Sequence, residues 1–188
     1  MTQTRDWSVM IELSARLLKE RTGKDFTIWN ARIKREHIKD EKSLRAWLAR
    51  EGVTGYAQSL LVWERFGYPA FMLASAGELI DAQYADRSQL RPILEAILGA
   101  ASALGDVTVQ ARRTYVSLMT PRRTFARIQP TTKTRIDLGL RLAGRHRNPR
   151  LGPSKIHETM PVQVSLTSRA EVDDEVLDLL QKAYEQNL

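Results

Sequence analysis

The stretch Val107–Leu142, VTVQARRTYVSLMTPRRTFARIQPTTKTRIDLGLRL, changes the period of the chain. Before it, apolar residues recur at steps of three and four. Within it they recur at every second position. In TRIDLGLRL, Ile136, Leu138, Leu140 and Leu142 face one way and Arg135, Asp137, Gly139 and Arg141 the other, the alternation of a half-buried strand. RTFARIQ alternates Thr124, Ala126 and Ile128 with Phe125, Arg127 and Gln129, and VTVQARR places Val107, Val109 and Ala111 on one face. Further on, PVQVSLT does the same with Val162, Val164 and Leu166. These segments are expected to form an antiparallel meander of four or five strands, apolar on one face and arginine-bearing on the solvent face.

Helical patterns flank the meander. Gly77–Ala85 reads as a short amphipathic helix and Ser88–Leu104 as a longer one, with Pro92 tolerated in its first turn. On the far side, Ser168 and Glu171 have the spacing of a capping box, with Asp173 and Asp174 in the positive first turn and Val172, Val176, Leu179, Leu180 and Tyr184 as the buried stripe. The first 75 residues read as helices throughout. Trp7, Met10, Leu13, Leu17 and Leu18 form one stripe closed by Gly23, and a second helix over Phe26–Glu36 buries Phe26, Trp29 and Ile33. Leu44, Trp47 and Leu48 form a third, ended by Gly52, and Tyr56, Leu60, Trp63 and Phe66 a fourth, ended by Gly67 and Pro69. The last two read either as a helix-turn-helix or as a plain hairpin closing a bundle. The expected fold is α+β: a helical bundle over residues 1–75, a connecting helix over 76–90, and a domain of helix, antiparallel sheet and C-terminal helix over 91–188.

The 188 residues carry a net charge of +7, with 29 lysines and arginines against 22 acids. The window 107–150 holds eleven basic residues and one acid, Asp137, so more than the whole net charge lies in the meander and the loop after it. The absence of cysteine excludes disulfides, thiol nucleophiles and cysteine metal ligands. No apolar run approaches the roughly 20 residues that span a bilayer, and Asp6 and Glu12 interrupt the N-terminal segment where a signal peptide would be apolar. A cytoplasmic protein with no membrane contact is expected. His37, His146 and His157 share no metal-ligand spacing, and no nucleotide-loop or nucleophile-elbow motif occurs. No catalytic set, cofactor or metal is therefore expected, and a binding protein fits better than an enzyme.

Some of these residues also carry a resemblance. LRPILEAILGAASALGDVTV, KTRIDLGLRL and VSLTSRAEVDDEVLDLLQKAYE resemble the C-terminal domain of uncharacterised bacterial two-domain proteins, a domain of unknown function. TGKDFTIWNARIKREHIKDEKSLRAWLAREGVTGYAQSLLV is similar to the short helical domain of unknown function that precedes it there. More remotely, the order helix, antiparallel sheet, helix resembles the MmcQ/YjbR-like fold, frataxin-like in outline, which implies DNA binding through a double-wing surface. The same outline implies weak iron binding by acids on the terminal helix, where Glu171, Asp174 and Asp178 lie on one face.

The basic face is the main functional signal. Arg112, Arg113, Arg122, Arg123, Arg127, Lys133, Arg135, Arg141, Arg145 and Arg147, with Arg150, are nearly all arginine. The forked guanidinium matches phosphate better than a solubilising surface requires. Turns at Pro121–Arg123 and Pro130–Lys133 would present the charges as two wings to nucleic acid, DNA or RNA, with Tyr115, Phe125 and His146 as candidates for stacking on bases. A solvated strand face, or a docking face for an acidic protein, gives the same charge pattern. Gln129, Lys133, Arg135 and Asp137 fall within one strand-turn-strand and form a candidate small-anion pocket, or else Arg135 and Asp137 make a structural ion pair. A different class of function, a protein-interaction adaptor, is suggested by the four tryptophans and the cluster Phe66, Tyr68, Phe71 and Met72 in the helical half.

Overall fold

Strands that alternate apolar and polar residues pair in the register that brings their apolar positions onto one face. The computed structural model describes residues 3–5, 7–144 and 148–188. It divides into a helical unit, Trp7–Ala74, and a sheet unit formed by the N-terminal strand together with Ser75–Leu188. The strands are β1 (Gln3–Arg5), β2 (Thr108–Ala111), β3 (Val116–Met119), β4 (Thr124–Pro130), β5 (Ile136–Leu140), β6 (Gly152–Pro153) and β7 (Val162–Leu166), in the order β1-β2-β3-β4-β5-β7-β6. All neighbours are antiparallel except β1, which joins β2 in parallel at the edge. The fold is α+β, and β2, β3, β4, β5 and β7 form the antiparallel body of the sheet.

Two rows of the register show how the faces divide. Ala111, Val116, Ile128, Leu138 and Val164 lie side by side across five strands, and all are buried. The next row reads Gln110, Ser117, Arg127, Gly139 and Gln163. The helices α6 (Ala76–Tyr84), α7 (Arg91–Ser102) and α8 (Asp174–Glu185) serve the apolar face: α6 packs on β2, α8 on β4 and β5, and α7 on α8. Val176, Leu180 and Ala183 of α8 and Ile93, Leu94 and Ile97 of α7 are buried, each large side chain contributing about 1.5–3 kcal/mol by leaving water.

The alternation fails at one place. Leu118 pairs with Ala126 and Met119 with Thr124, so Phe125 is the extra residue of a β-bulge. The bulge turns Phe125 onto the apolar face, fully buried with its ring 5.5 Å from that of Tyr184, and thereby places Thr124 opposite. Phe125 is not available to stack on a base.

The capping box of Ser168 and Glu171 forms, but it closes only a single 3-10 turn, Arg169–Glu171. The helix α8 begins three residues later under Asp173, whose carboxylate accepts from the Val176 N–H at 3.1 Å. Val172 therefore precedes the helix instead of lying in its stripe.

The helical unit contains α1 (Ser8–Thr22), α2 (Phe26–Arg35), α3 (Glu41–Arg50), α4 (Gly55–Phe66) and the single turn α5 (Ala70–Leu73). Asp25 and Asp40 cap α2 and α3 through the N–H groups of Ile28 and Ser43, and Gly23 ends α1 in the left-handed region. Trp29, Ile33, Leu44, Trp47, Leu48, Val53 and Leu61 make its core. On α4 the buried positions are Leu60, Leu61 and Val62, whereas Tyr56 and Phe66 are 52% and 40% exposed. The stripe is thus rotated from the Tyr56, Leu60, Trp63, Phe66 reading, because Leu61 and Val62, with Val53 in the turn before α4, join the cluster of Trp29, Ile33, Leu44 and Leu48.

Gly105, between α7 and β2, has φ +133°, and a Cβ there would lie 2.6 Å from the Tyr184 hydroxyl oxygen. Gly99 lies in α7 with nothing within 4 Å of a Cβ. Gly105→Ala is expected to lower unfolding free energy by about 2 kcal/mol in urea titration, while Gly99→Ala raises it by about 0.5–1 kcal/mol through helix propensity.

Candidate functional site

The polar face of the sheet is expected to be open along its whole width, and over β5 it is not. All five residues of β5 are buried. One face of β5 lies under the helices, and residues 154–160 cross the other as a strap. The strap crosses at Gly139, where a Cβ would lie 2.6 Å from Ile156 Cδ1 and 3.1 Å from Met160 Cβ. It is tied at its ends by the Ser154 N–H donating to the Pro161 carbonyl and the Lys155 N–H donating to Gln163 Oε1, at 3.1 and 2.9 Å.

The face under and beside the strap is polar, with most groups matched. Asp137, 1% exposed, accepts from Ser165 Oγ at 2.6 Å. Arg135 lies against the same carboxylate, with Nε 3.1 Å from Oδ1 and Nη2 donating to Oδ2 at 3.3 Å. Gln129 accepts from Arg127 Nε at 3.1 Å, and Arg112 Nη2 donates to Gln110 Oε1 at 2.7 Å. The four residues of the expected small-anion pocket are therefore dispersed into separate pairings. Lys133 stands exposed in the β4–β5 turn, its ammonium 3.7 Å from Asp86, while Gln129, Arg135 and Asp137 are engaged on the sheet face.

The turns are held down. Arg87 Nη1 donates to the carbonyls of Pro130 and Thr132, and Gln89 Nε2 to that of Lys133. At the β3–β4 turn, the Thr120 hydroxyl accepts from the N–H groups of Arg122 and Arg123 and donates to the Asn187 carbonyl. Asn187, buried, donates in turn to the carbonyls of Arg141 and Ala183. The end of α8 thus fixes the backbone that carries Arg141.

Of the basic residues, Arg113, Arg122 and Lys133 are exposed, and Arg112, Arg123, Arg127, Arg135 and Arg141 half-buried. Arg145, His146 and Arg147 lie outside the described residues. Several arginines elsewhere are paired with acids, Arg32 with Glu51, Arg45 with Glu41, Arg91 with Asp81, and Arg150 with Asp173, and others such as Arg21, Arg35, Arg50, Arg65 and Arg169 stand exposed in water. Among the described residues, Arg123, Arg127 and Arg141 have no carboxylate partner. The Nε atoms of Arg123 and Arg141 are buried and accepted by nothing. Arg127 lies flat on Tyr115, its guanidinium carbon 3.5 Å from the ring centroid. Burial pulls the Arg127 guanidinium below its ordinary pKa, and it pulls Arg141 down with the added repulsion of Arg123.

Arg127 and Arg141 open onto a cavity of about 250 Å³ with Tyr115, Ser117, Thr124, His157, Thr159 and Met160. Sequence periodicity does not reveal Thr124, which the bulge delivers, or His157 and Thr159, which arrive on the strap. A wider groove of about 810 Å³ lies at the start of α8, but Asp173, Glu171 and Glu175 line it. Arg150 there is already engaged, at 2.7 Å to Asp173 and 2.6 Å to the Glu171 carbonyl, so it belongs to the α8 clamp and not to the free basic surface. Among the described residues no group of three or more histidines and acids is placed to hold a metal, and no helix is long and apolar enough to cross a membrane.

The sheet unit coincides with a recognised family. The family described as Domain of unknown function (DUF5655) matches residues 80–187, and the chain belongs to it. Neither curated proteins nor solved structures gave a match to the chain.

In the helical unit, the aromatic cluster is partly self-satisfied. Phe71 packs edge-on against Trp7 and Trp63 at 5.5 and 6.4 Å, and Met72 is buried. Phe66 and Leu73 are the exposed remainder of that end.

Two consequences are measurable. Gly139→Val is expected to displace the strap, seen as faster proteolysis within residues 154–160 and lower thermal stability. Asp173 is held below the usual carboxylate range, first by its hydrogen bond from Arg150 and then by the Val176 N–H. A lowered folded pKa stabilises above the unfolded value of about 3.9 and is lost as pH falls below it. Arg150→Gln should therefore lower the melting temperature at pH 7, and the difference from wild type should narrow below about pH 4.

Proposed function

We propose that the chain binds nucleic acid through its phosphates, using the arginine-bearing face of the sheet and the β2–β3 and β3–β4 turns. The observation that carries this reading is the charge left over after pairing. Among the described residues, seven arginines are matched to acids, whereas the half-buried Arg123, Arg127 and Arg141 have no carboxylate, and the exposed Arg113 and Arg122 stand in neighbouring turns. Desolvating guanidiniums without a counter-charge costs stability, and phosphate offsets that cost by charge-assisted, forked hydrogen bonds and by release of condensed counterions. The half-buried setting favours phosphate contacts with little reading of bases. The remote resemblance to double-wing folds supports the same reading. A cytoplasmic site of action and a separate helical domain over the first 75 residues belong to this proposal.

The test is fluorescence anisotropy of labelled duplex DNA, single-stranded DNA and RNA across a salt series. Arg135 should be left alone in any charge reversal, since a glutamate there would face buried Asp137. Wild type should bind one of the three with a steep negative log–log salt slope. Arg113→Gln with Arg122→Gln should flatten that slope by about 0.7–0.9 for each phosphate contact removed, while Arg50→Gln in the helical unit leaves it unchanged. No binding tighter than about 10⁻⁴ M at physiological salt would remove the proposal in favour of a docking face for an acidic protein.

A further inference from the structure

The cavity between the sheet and the strap has the composition of a site for one small anion. Its volume is about 250 Å³, below the 300–1,000 Å³ typical of pockets for drug-sized ligands, so it admits a single charged group and its nearest atoms. Arg127 and Arg141 line it, no acidic residue does, and Ser117 and Thr124 line it from the sheet side.

Each charged group is held with its hydrogen-bonding capacity open. Tyr115 supports the flat of Arg127 from below, and Gln129 takes its Nε proton, which leaves both terminal nitrogens as donors. Arg141 makes no side-chain hydrogen bond among the described residues, and its Nε is buried. Its backbone is fixed from both sides, by the Phe125 carbonyl accepting its N–H at 2.8 Å and by Asn187 donating to its carbonyl at 2.8 Å. Arg123 stands near enough to depress Arg141 by like charge. A buried, charged donor with nothing to accept from it calls for an acceptor that the chain itself does not supply.

The strap supplies the opposite wall. There the Thr159 N–H donates to His157 Nδ1 at 3.2 Å, and the Thr159 hydroxyl lies 2.8 Å from the same nitrogen. No carboxylate lines the cavity, the guanidiniums of Arg127 and Arg141 bring two positive charges, and Ser117 and Thr124 add hydroxyl groups. A carboxylate, with two oxygens and one charge, would leave donors unmatched. A tetrahedral group with three terminal oxygens and close to two charges uses them.

We infer that this cavity, floored by Arg127 and Arg141 and roofed by the strap over Gly139, binds one terminal phosphate group, as a phosphomonoester or inorganic phosphate. The group has two possible sources, a small free phosphomonoester or the 5′-phosphate end of a nucleic-acid strand. The inference shares a face with the proposed function but does not rest on it, since the cavity holds one phosphate whether or not a strand follows.

The test uses the full chain. Inorganic phosphate and glycerol phosphate are titrated calorimetrically and by thermal melting, against chloride at matched ionic strength. A saturable one-site isotherm and a melting temperature that rises with ligand concentration are expected for wild type. Ser117→Ala should weaken binding several-fold and Arg141→Gln at least tenfold, with partial recovery in Arg141→Lys. Arg113→Gln with Arg122→Gln should leave the phosphate isotherm unchanged while weakening oligonucleotides, so failure of either reading is visible separately. A second arm compares one oligonucleotide with a 5′-phosphate or a 5′-hydroxyl end. A preference of tenfold or more for the phosphate end, abolished by Arg141→Gln, assigns the strand end as the source, and equal affinities assign the free phosphomonoester. Wild type that responds to phosphate no more than to chloride overturns the inference, as does phosphate binding that Ser117→Ala and Arg141→Gln leave intact.

Discussion

A guanidinium carries five donors and a charge that it does not give up, so wherever the chain partly buries one, an acceptor has to be present or brought. On the polar face of this sheet the condition is met unevenly. Arg135 has Asp137, Arg112 has Gln110 and Arg127 has Gln129, whereas Arg123 and Arg141 keep buried Nε atoms that nothing accepts from. The rest of the architecture bears on this imbalance. The meander lines up the arginines, the bulge at Phe125 brings Thr124 alongside, the strap covers β5, and the end of α8 holds Arg141 in place through Asn187.

The sheet's two faces therefore differ in kind. The face under α6, α7 and α8 is an apolar core in which area leaving water is the stabilising quantity. The other is polar and covered by the strap only over β5, and its buried groups are stable only where they are matched. Asp137, buried in β5, is the one acid in the basic window, and it neutralises Arg135 at the start of that strand. The arginines beyond its reach stay unneutralised, and this separates a charged face that merely keeps the chain soluble from one built to receive an anion. Arg150, equally basic in sequence, shows the contrast: it clamps Asp173, Glu175 and the Glu171 carbonyl and adds nothing to the open field.

Much of this was legible in the residues themselves. The switch from a 3.6 to a 2.0 period locates β2, β3, β4, β5 and β7, because a strand buried on one face imposes alternation on its sequence. The concentration of arginine in the same window locates the basic face. What alternation cannot carry is a defect in itself: one extra residue at Phe125 reverses the inside and outside of the residues before it, with no mark in RTFARIQ. The strap was illegible for a different reason. Its only sequence trace is Gly139, whose missing side chain reads as a weak strand position until Ile156 is found lying 2.6 Å from where a Cβ would be. The rotated stripe of α4 reflects competition among large residues on adjacent helical positions, which the packing of Val53 and Leu61 decides.

The most direct test of the account is a nitrogen-15 NMR titration of the arginine Nε–H resonances with inorganic phosphate, against chloride at the same ionic strength. The signals of Arg123, Arg127 and Arg141 are expected to move together, saturably and with phosphate alone, while those of the acid-paired Arg32, Arg91 and Arg150 stay in place. Arginine signals that all drift alike with either salt, or that do not move at all, would contradict it.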